Sequence, residues 1–164
     1  MTVAVKNGKD VMQVVRTAVV HHGSTRDELI PILTDVNREL GYIPHEAVDE
    51  VSRLIGMPKS QLYSVASFYD MLSLKPRGRH VIKFCENAPC HVVGGRLVWQ
   101  ALHDQLKVKS GETTPDGRFT LLMTSCIGVC SVGPVVVIDD DVHGNVEPEQ
   151  IADILARYES GDLP

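Results

Sequence analysis

The sequence predicts an α+β protein: an N-terminal helical bundle over residues 1–78, followed by an α/β domain with a mixed sheet over residues 79–164. Two observations carry this reading. Apolar residues recur at helical spacing as far as about Leu74, and beyond Lys75-Pro76-Arg77-Gly78 they gather into short runs bounded by turn residues. A third observation bears on chemistry: all four cysteines lie just past the ends of two of those runs.

In the first domain Val11, Val14, Val15, Ala18 and Val19 share one helical face, and Gly23 ends the helix. Ser24 and Asp27 resemble a capping box for a second helix bearing Leu29, Ile32, Leu33, Val36 and Leu40, which stops at Gly41. Pro31 is expected to kink it if it lies beyond the first turn. Pro44 opens a third helix with Ala47, Val48, Val51, Leu54 and Ile55, closed by Gly56; Pro58 opens a fourth with Leu62, Tyr63 and Ala66. Short joints between amphipathic helices imply a bundle whose stripes are core. Phe68 and Tyr69, just after the fourth helix, read as packing anchors.

In the second domain His80 to Phe84 and Phe119 to Met123 are predicted strands, with an amphipathic helix over Arg96 to Leu106 between them. A crossover helix of this kind joins parallel strands. Val135 to Ile138 is a buried strand, Asp139 to Asp141 a solvated turn lacking the ligand spacing of a calcium loop, and Val142 to Asn145 a hairpin partner. Ile151, Ile154, Leu155 and Tyr158 mark a terminal helix after Pro148, and Trp99 reads as core or half-buried helix face.

Composition excludes several functions. Of 164 residues 43% are hydrophobic and 23% charged, which suits a globular chain. The net charge is −5, and no Lys/Arg run offers a nucleic-acid footprint. Residues 1–78 carry nine basic and nine acidic groups, so all the net negative charge belongs to the second domain. The apolar runs are too short to insert in a membrane, and the N-terminus lacks the basic flank and apolar core of a secretion signal. The expected location is therefore cytoplasmic, where a reducing environment turns clustered cysteines towards metal or redox chemistry.

Cys85 and Cys90 are separated by four residues, and Cys126 and Cys130 by three. Parallel strands would bring both loops to one sheet edge and make a four-thiolate site. Pro89, Gly94, Gly95, Gly128, Gly133 and Pro134 shape these loops, and glycine lets backbone N–H groups approach an anionic centre. A thioredoxin-type dithiol needs a closer pair than either loop supplies. Structural zinc accepts four thiolates but commonly uses C-x2-C pairs. A two-iron cluster spreads the four ligands over two metals and fits the wide loop better, leaving zinc as the alternative. His91 reads as a solvated loop histidine rather than a proton-coupled neighbour of the site.

Several motifs together resemble the thioredoxin-like two-iron ferredoxin family. They are Phe84-Cys-Glu-Asn-Ala-Pro-Cys90, Gly94-Gly95, Gly111-Glu-Thr-Thr-Pro-Asp-Gly117 and Cys126-Ile-Gly-Val-Cys130 with Gly133-Pro134. In the helical part, Gly41-Tyr-Ile-Pro44 and Val65-Ala-Ser-Phe-Tyr69 also match. The resemblance covers about residues 10–158. This family includes the 24-kDa subunit of respiratory complex I and the small subunits of NAD-linked hydrogenases and formate dehydrogenases. It implies a thioredoxin-like second domain holding one [2Fe-2S] cluster on Cys85, Cys90, Cys126 and Cys130, and a one-electron relay that is not catalytic alone. It implies a flavoprotein partner, carrying FMN, an NAD(H) site and further iron–sulfur clusters, docked on the helical domain. The chain itself has no glycine fingerprint for a dinucleotide. Ser125, Val129 and Gly133 depart from the family's usual Glu, Ala and Ala; Ser125 in place of a carboxylate favours the reduced cluster.

Overall fold

A computed structural model describes residues 10–159. The chain divides between Arg77 and Gly78 into two compact units.

The first unit is helical: α1 (Val11–His22), α2 (Leu29–Leu40), α3 (His45–Ile55) and α4 (Lys59–Phe68). Asp10 caps α1 by accepting the Met12 N–H at 3.0 Å. The predicted stripes form the core, with Val15, Ile32, Leu33, Val36, Leu40, Val51 and Leu62 fully buried. Truncating Leu33 to Ala would cost about 2–5 kcal/mol. Glu50 is the charged exception, with a side chain only 7% exposed. Arg53, with Arg16 beside it, holds its carboxyl down at about 2 and lets it stay ionised in the bundle.

Two local expectations need correction, at Ser24 and at Phe68, and the conditional one at Pro31 is resolved. Ser24 and Asp27 do not cap α2: a 3-10 turn over Arg26–Glu28 intervenes, so Ser24 lies too far upstream of the first helical N–H groups, and Thr25 Oγ1 bonds the Glu28 carboxylate instead. Pro31 falls in the first turn of α2, where its missing N–H would have had no helical partner, and causes no break. Phe68 is 78% exposed, since α4 ends there and turns its face away from the core; Tyr69, which meets it edge-on, is the one that packs.

The second unit is a four-stranded mixed sheet in the order β2-β1-β3-β4, built from β1 (His80–Cys85), β2 (Phe119–Thr124), β3 (Val136–Ile138) and β4 (Asp141–His143). A single helical turn, α5 (Ala88–Cys90), and the helix α6 (Arg96–Leu106) link β1 to β2, and α7 (Ile151–Glu159) closes the unit. β1 and β2 are parallel, with Cys85 beside Thr124; β3 and β4 add antiparallel pairs. The two-residue period of a strand divides neighbours between faces. Phe84, Val136 and Ile138 pack with Val98 and Leu102 of α6 and Ile151 and Leu155 of α7. Cys85 and Val137 cluster separately, with Cys90 and Val135. Trp99 packs half-buried on the first of these groups, 5.5 Å from Phe84 between ring centroids.

The acidic turn is more than a solvated joint. Asp139 adopts a left-handed φ of 55° and accepts hydrogen bonds from His80 Nδ1 at 2.7 Å and the Val81 N–H at 2.9 Å. Asp141 accepts from the Tyr158 hydroxyl at 2.9 Å, and burial together with this bond pushes the phenol up to about 12. Charge patterning could not reveal these roles, because the partners lie 17 to 59 residues away. No helix among the described residues is long and apolar enough to cross a membrane. The N-terminal segment read as lacking a secretion signal lies outside the described residues.

Candidate metal centre

The parallel pairing of β1 and β2 sends two loops out of the same end of the sheet. Cys85 is the last residue of β1, and Cys90 closes the turn α5. The chain then steps through Gly94 at φ 103° and passes Gly95 so closely that a Cβ there would lie 2.6 Å from the Cys90 carbonyl oxygen. Only glycine fits that approach. In the second loop Cys126 follows β2, Gly128 turns the chain at φ 90°, and Cys130 begins a 3-10 turn that leads through Gly133 into β3. Gly133 is also tight, since a Cβ would lie 3.3 Å from Cys90 Sγ and from Val93.

All four cysteines line a single cavity, whose remaining walls are Ile127, Gly128, Val129 and Val135. All four are free thiols. Cys126 Sγ and Cys130 Sγ stand 3.6 Å apart, and the Gly128 N–H points at Cys126 Sγ from 3.3 Å. The pairs differ in setting: Cys85 and Cys90 are 2% and 1% exposed, whereas Cys126 and Cys130 are open to solvent.

The first pair is arranged for anionic sulfur at Cys85. Burial opposes ionisation of Cys85, but hydrogen bonds from the Asn87 backbone, the Cys90 thiol and the Ile127 backbone outweigh it and hold the group below the usual thiol range. Burial pushes the Cys90 thiol up, reinforced by its bond to Cys85. The Cys130 thiol is raised first by its hydrogen bond to Cys126 and then by burial. In the first pair Cys90 thus holds its proton while Cys85 offers a negative partner. A cation at the cavity would replace the thiol protons. Four sulfurs with backbone N–H donors behind them and apolar walls fit an iron–sulfur group.

Other residues weighed for this site stand apart. His91 is exposed, and its backbone N–H bonds the Asn87 carbonyl at 3.0 Å. Ser125 is exposed, and its hydroxyl reaches no sulfur. The backbone donors of Asn87, Ile127 and Gly128 escaped residue-by-residue reading because any side chain can sit on a donating N–H; Gly128 between the second pair was the one visible sign.

The family model for the thioredoxin-like [2Fe-2S] ferredoxin matches residues 15–159. The chain belongs to that family. Membership decides between iron–sulfur and zinc: the cofactor is a [2Fe-2S] cluster. A subunit of the NADH-quinone oxidoreductase of Escherichia coli (strain K12) is 40% identical over 138 residues, 84% of this chain and 83% of that protein. The NADP-reducing hydrogenase subunit HndA of Solidesulfovibrio fructosivorans is 37% identical over 130 residues, 79% of this chain and 76% of that one. Among solved structures, the air-oxidised NAD+-reducing [NiFe]-hydrogenase aligns with a TM-score of 0.65 at 21% identity. That match spans 73% of this ferredoxin chain but only 21% of the hydrogenase chain, and it is a likeness of fold.

Proposed function

We propose that Cys85, Cys90, Cys126 and Cys130 ligate the cluster, each loop's pair on one iron, and that the chain is a one-electron relay subunit of a multisubunit NAD(H)-linked oxidoreductase. The single observation that carries this is the convergence of four free thiols, from the ends of two parallel strands, on one cavity. When bound, the cluster supplies a one-electron redox couple. The chain's own part is to hold it: α5 and Gly95 fix the buried pair, Gly128 turns the exposed pair towards it, and backbone N–H groups stabilise sulfur charge.

Hydride chemistry belongs in this reading to a partner flavoprotein with FMN, an NAD(H) site and its own clusters. Two kinds of relative support that partner, one named as a subunit of an NADH-quinone oxidoreductase and one as a subunit of an NADP-reducing hydrogenase. The helical unit docks the partner; Phe68 and Met71, 78% and 59% exposed, supply apolar contact area there. Exposed Val92, Val93 and Val129 on the cysteine loops allow close approach without charge repulsion. The location is cytoplasmic, at the inner membrane face where the parent complex is membrane-bound, which suits four free thiols.

The test is anaerobic purification followed by iron and acid-labile sulfide analysis, with two of each expected per chain and a rhombic paramagnetic signal after reduction. The loaded chain alone should not oxidise NADH; activity should appear on adding the flavoprotein. One zinc per chain without sulfide would overturn the relay reading, and robust NADH turnover by flavin-free chain would overturn the division of labour.

A further inference from the structure

The helical unit has a group of metal-type donors of its own. α1 ends in two adjacent histidines, whose rings lie with centroids 4.4 Å apart. His22 Nε2 is 2.6 Å from Asp35 Oδ2 on α2, and His21 Nδ1 is 3.7 Å from the same oxygen. One ligating atom from each residue can be chosen so that all lie within 4.8 Å of one another.

The surroundings favour a cation. An adjoining cavity of about 570 Å³ is bordered by Asp10, Asp35 and Glu39 against a single guanidinium, Arg38. The C-terminal end of α1 adds the partial negative charge of its carbonyls. His22 is 23% exposed and Asp35 30%, so both are partly shielded from water, while His21, 72% exposed, can swing.

We propose that His21, His22 and Asp35 form a divalent transition-metal site that takes zinc or a similar imidazole-preferring cation and ties α1 to α2. A tetrahedral zinc with bonds of about 2.0–2.1 Å sets its donors roughly 3.4 Å apart. The observed 2.6 and 3.7 Å separations bracket that spacing. Binding therefore needs a small opening of the His22–Asp35 contact and a turn of the His21 ring. The metal displaces the proton shared by His22 and Asp35, two neutral imidazoles and one carboxylate occupy three positions, and water from the cavity fills the fourth. Arg38, whose Nη1 lies 3.9 Å from Asp35 Oδ1, opposes the cation and sets the affinity below that of a site without it.

The experiment is calorimetric titration of the full, cluster-loaded chain with zinc chloride at neutral pH, with the zinc X-ray absorption edge read on the same sample. The expected result is saturation at one equivalent, a shell of nitrogen and oxygen without sulfur, and an unchanged cluster spectrum. His22→Gln and Asp35→Asn should each weaken binding at least tenfold, Arg38→Gln should tighten it, and the exposed His103→Ala should leave it as in the wild type. His21→Ala, at a solvent-facing position, keeps the test valid should the half-buried variants fold poorly, and should also weaken binding. No saturable heat, wild-type binding in His21→Ala and Asp35→Asn, or sulfur in the zinc shell with loss of the cluster spectrum would each overturn the proposal.

Discussion

The two cysteine loops serve one cavity by different means. The first is locked in: Cys85 ends a strand, Cys90 closes a helical turn, both are buried, and Gly95 lets the backbone pack against the Cys90 carbonyl. The second is open: Cys126 and Cys130 are exposed, and the space around Gly128 would admit a side chain without a contact. One half of the proposed cluster site is set by the core of the fold and the other by a surface turn. A relay needs both, because a rigid inner half limits reorganisation while an outer half near solvent brings the electron within reach of a partner.

The largest expected difference between the loops lies in the proposed ligands themselves. Cys90→Ala should abolish the cluster, since no solvent oxygen reaches the vacated buried position, and iron analysis should fall to background. Cys130→Ala should leave a fraction of the iron with an altered paramagnetic signal, because water can occupy the exposed position. Equal loss in both would break the contrast, and wild-type iron with an unchanged signal would remove that cysteine from the ligand set.

Next come the glycines. Gly95→Ala places a Cβ 2.6 Å from backbone oxygen and should cost about 3 kcal/mol, with iron lost early in thermal denaturation. Gly128→Ala meets no atom and suffers only from its φ of 90°, so it should cost about 1–2 kcal/mol and keep its iron. Thermal melts followed by cluster absorbance rank the two, and the reverse order would show that the exposed turn is the rigid half.

The smallest effect concerns charge. Ser125→Glu puts a carboxylate beside Cys126 on the open loop, where it opposes adding an electron to an already anionic centre. The reduction potential should fall by tens of millivolts at low ionic strength, and by less at high salt, because residue 125 is exposed. A potential that rises, or does not move at either ionic strength, would show that this position has no part in setting the redox poise.

Much of this molecule was legible in the chain. The stripes from Val11 to Ala66 repeat every three or four residues, so each helix declared its buried face, and the strand runs at 80–84 and 119–123 lie within a residue or two of β1 and β2. Gly41 and Gly56 closed helices as expected, because φ values of 83° and 68° disfavour other residues. Capping at Ser24 failed for a local reason, since one 3-10 turn moves a helix start beyond a side chain's reach.

What the sequence by itself determined is everything that depends on near neighbours: periodicity, loop glycines, and cysteine spacings too wide for a dithiol and suited to a cluster. What only the tertiary structure decided is which distant groups meet and which face water. Cys85 and Cys130 are 45 residues apart and line one cavity because β1 and β2 pair in parallel, the one distant meeting that the strand–helix–strand order had already implied. Asp139 bonds to His80 across 59 residues, and His22 reaches Asp35 from another helix. The burial of one cysteine pair and the exposure of the other follow from strand pairing and from which sheet face each loop covers. These are long-range outcomes of packing, and no local pattern along the chain encodes them.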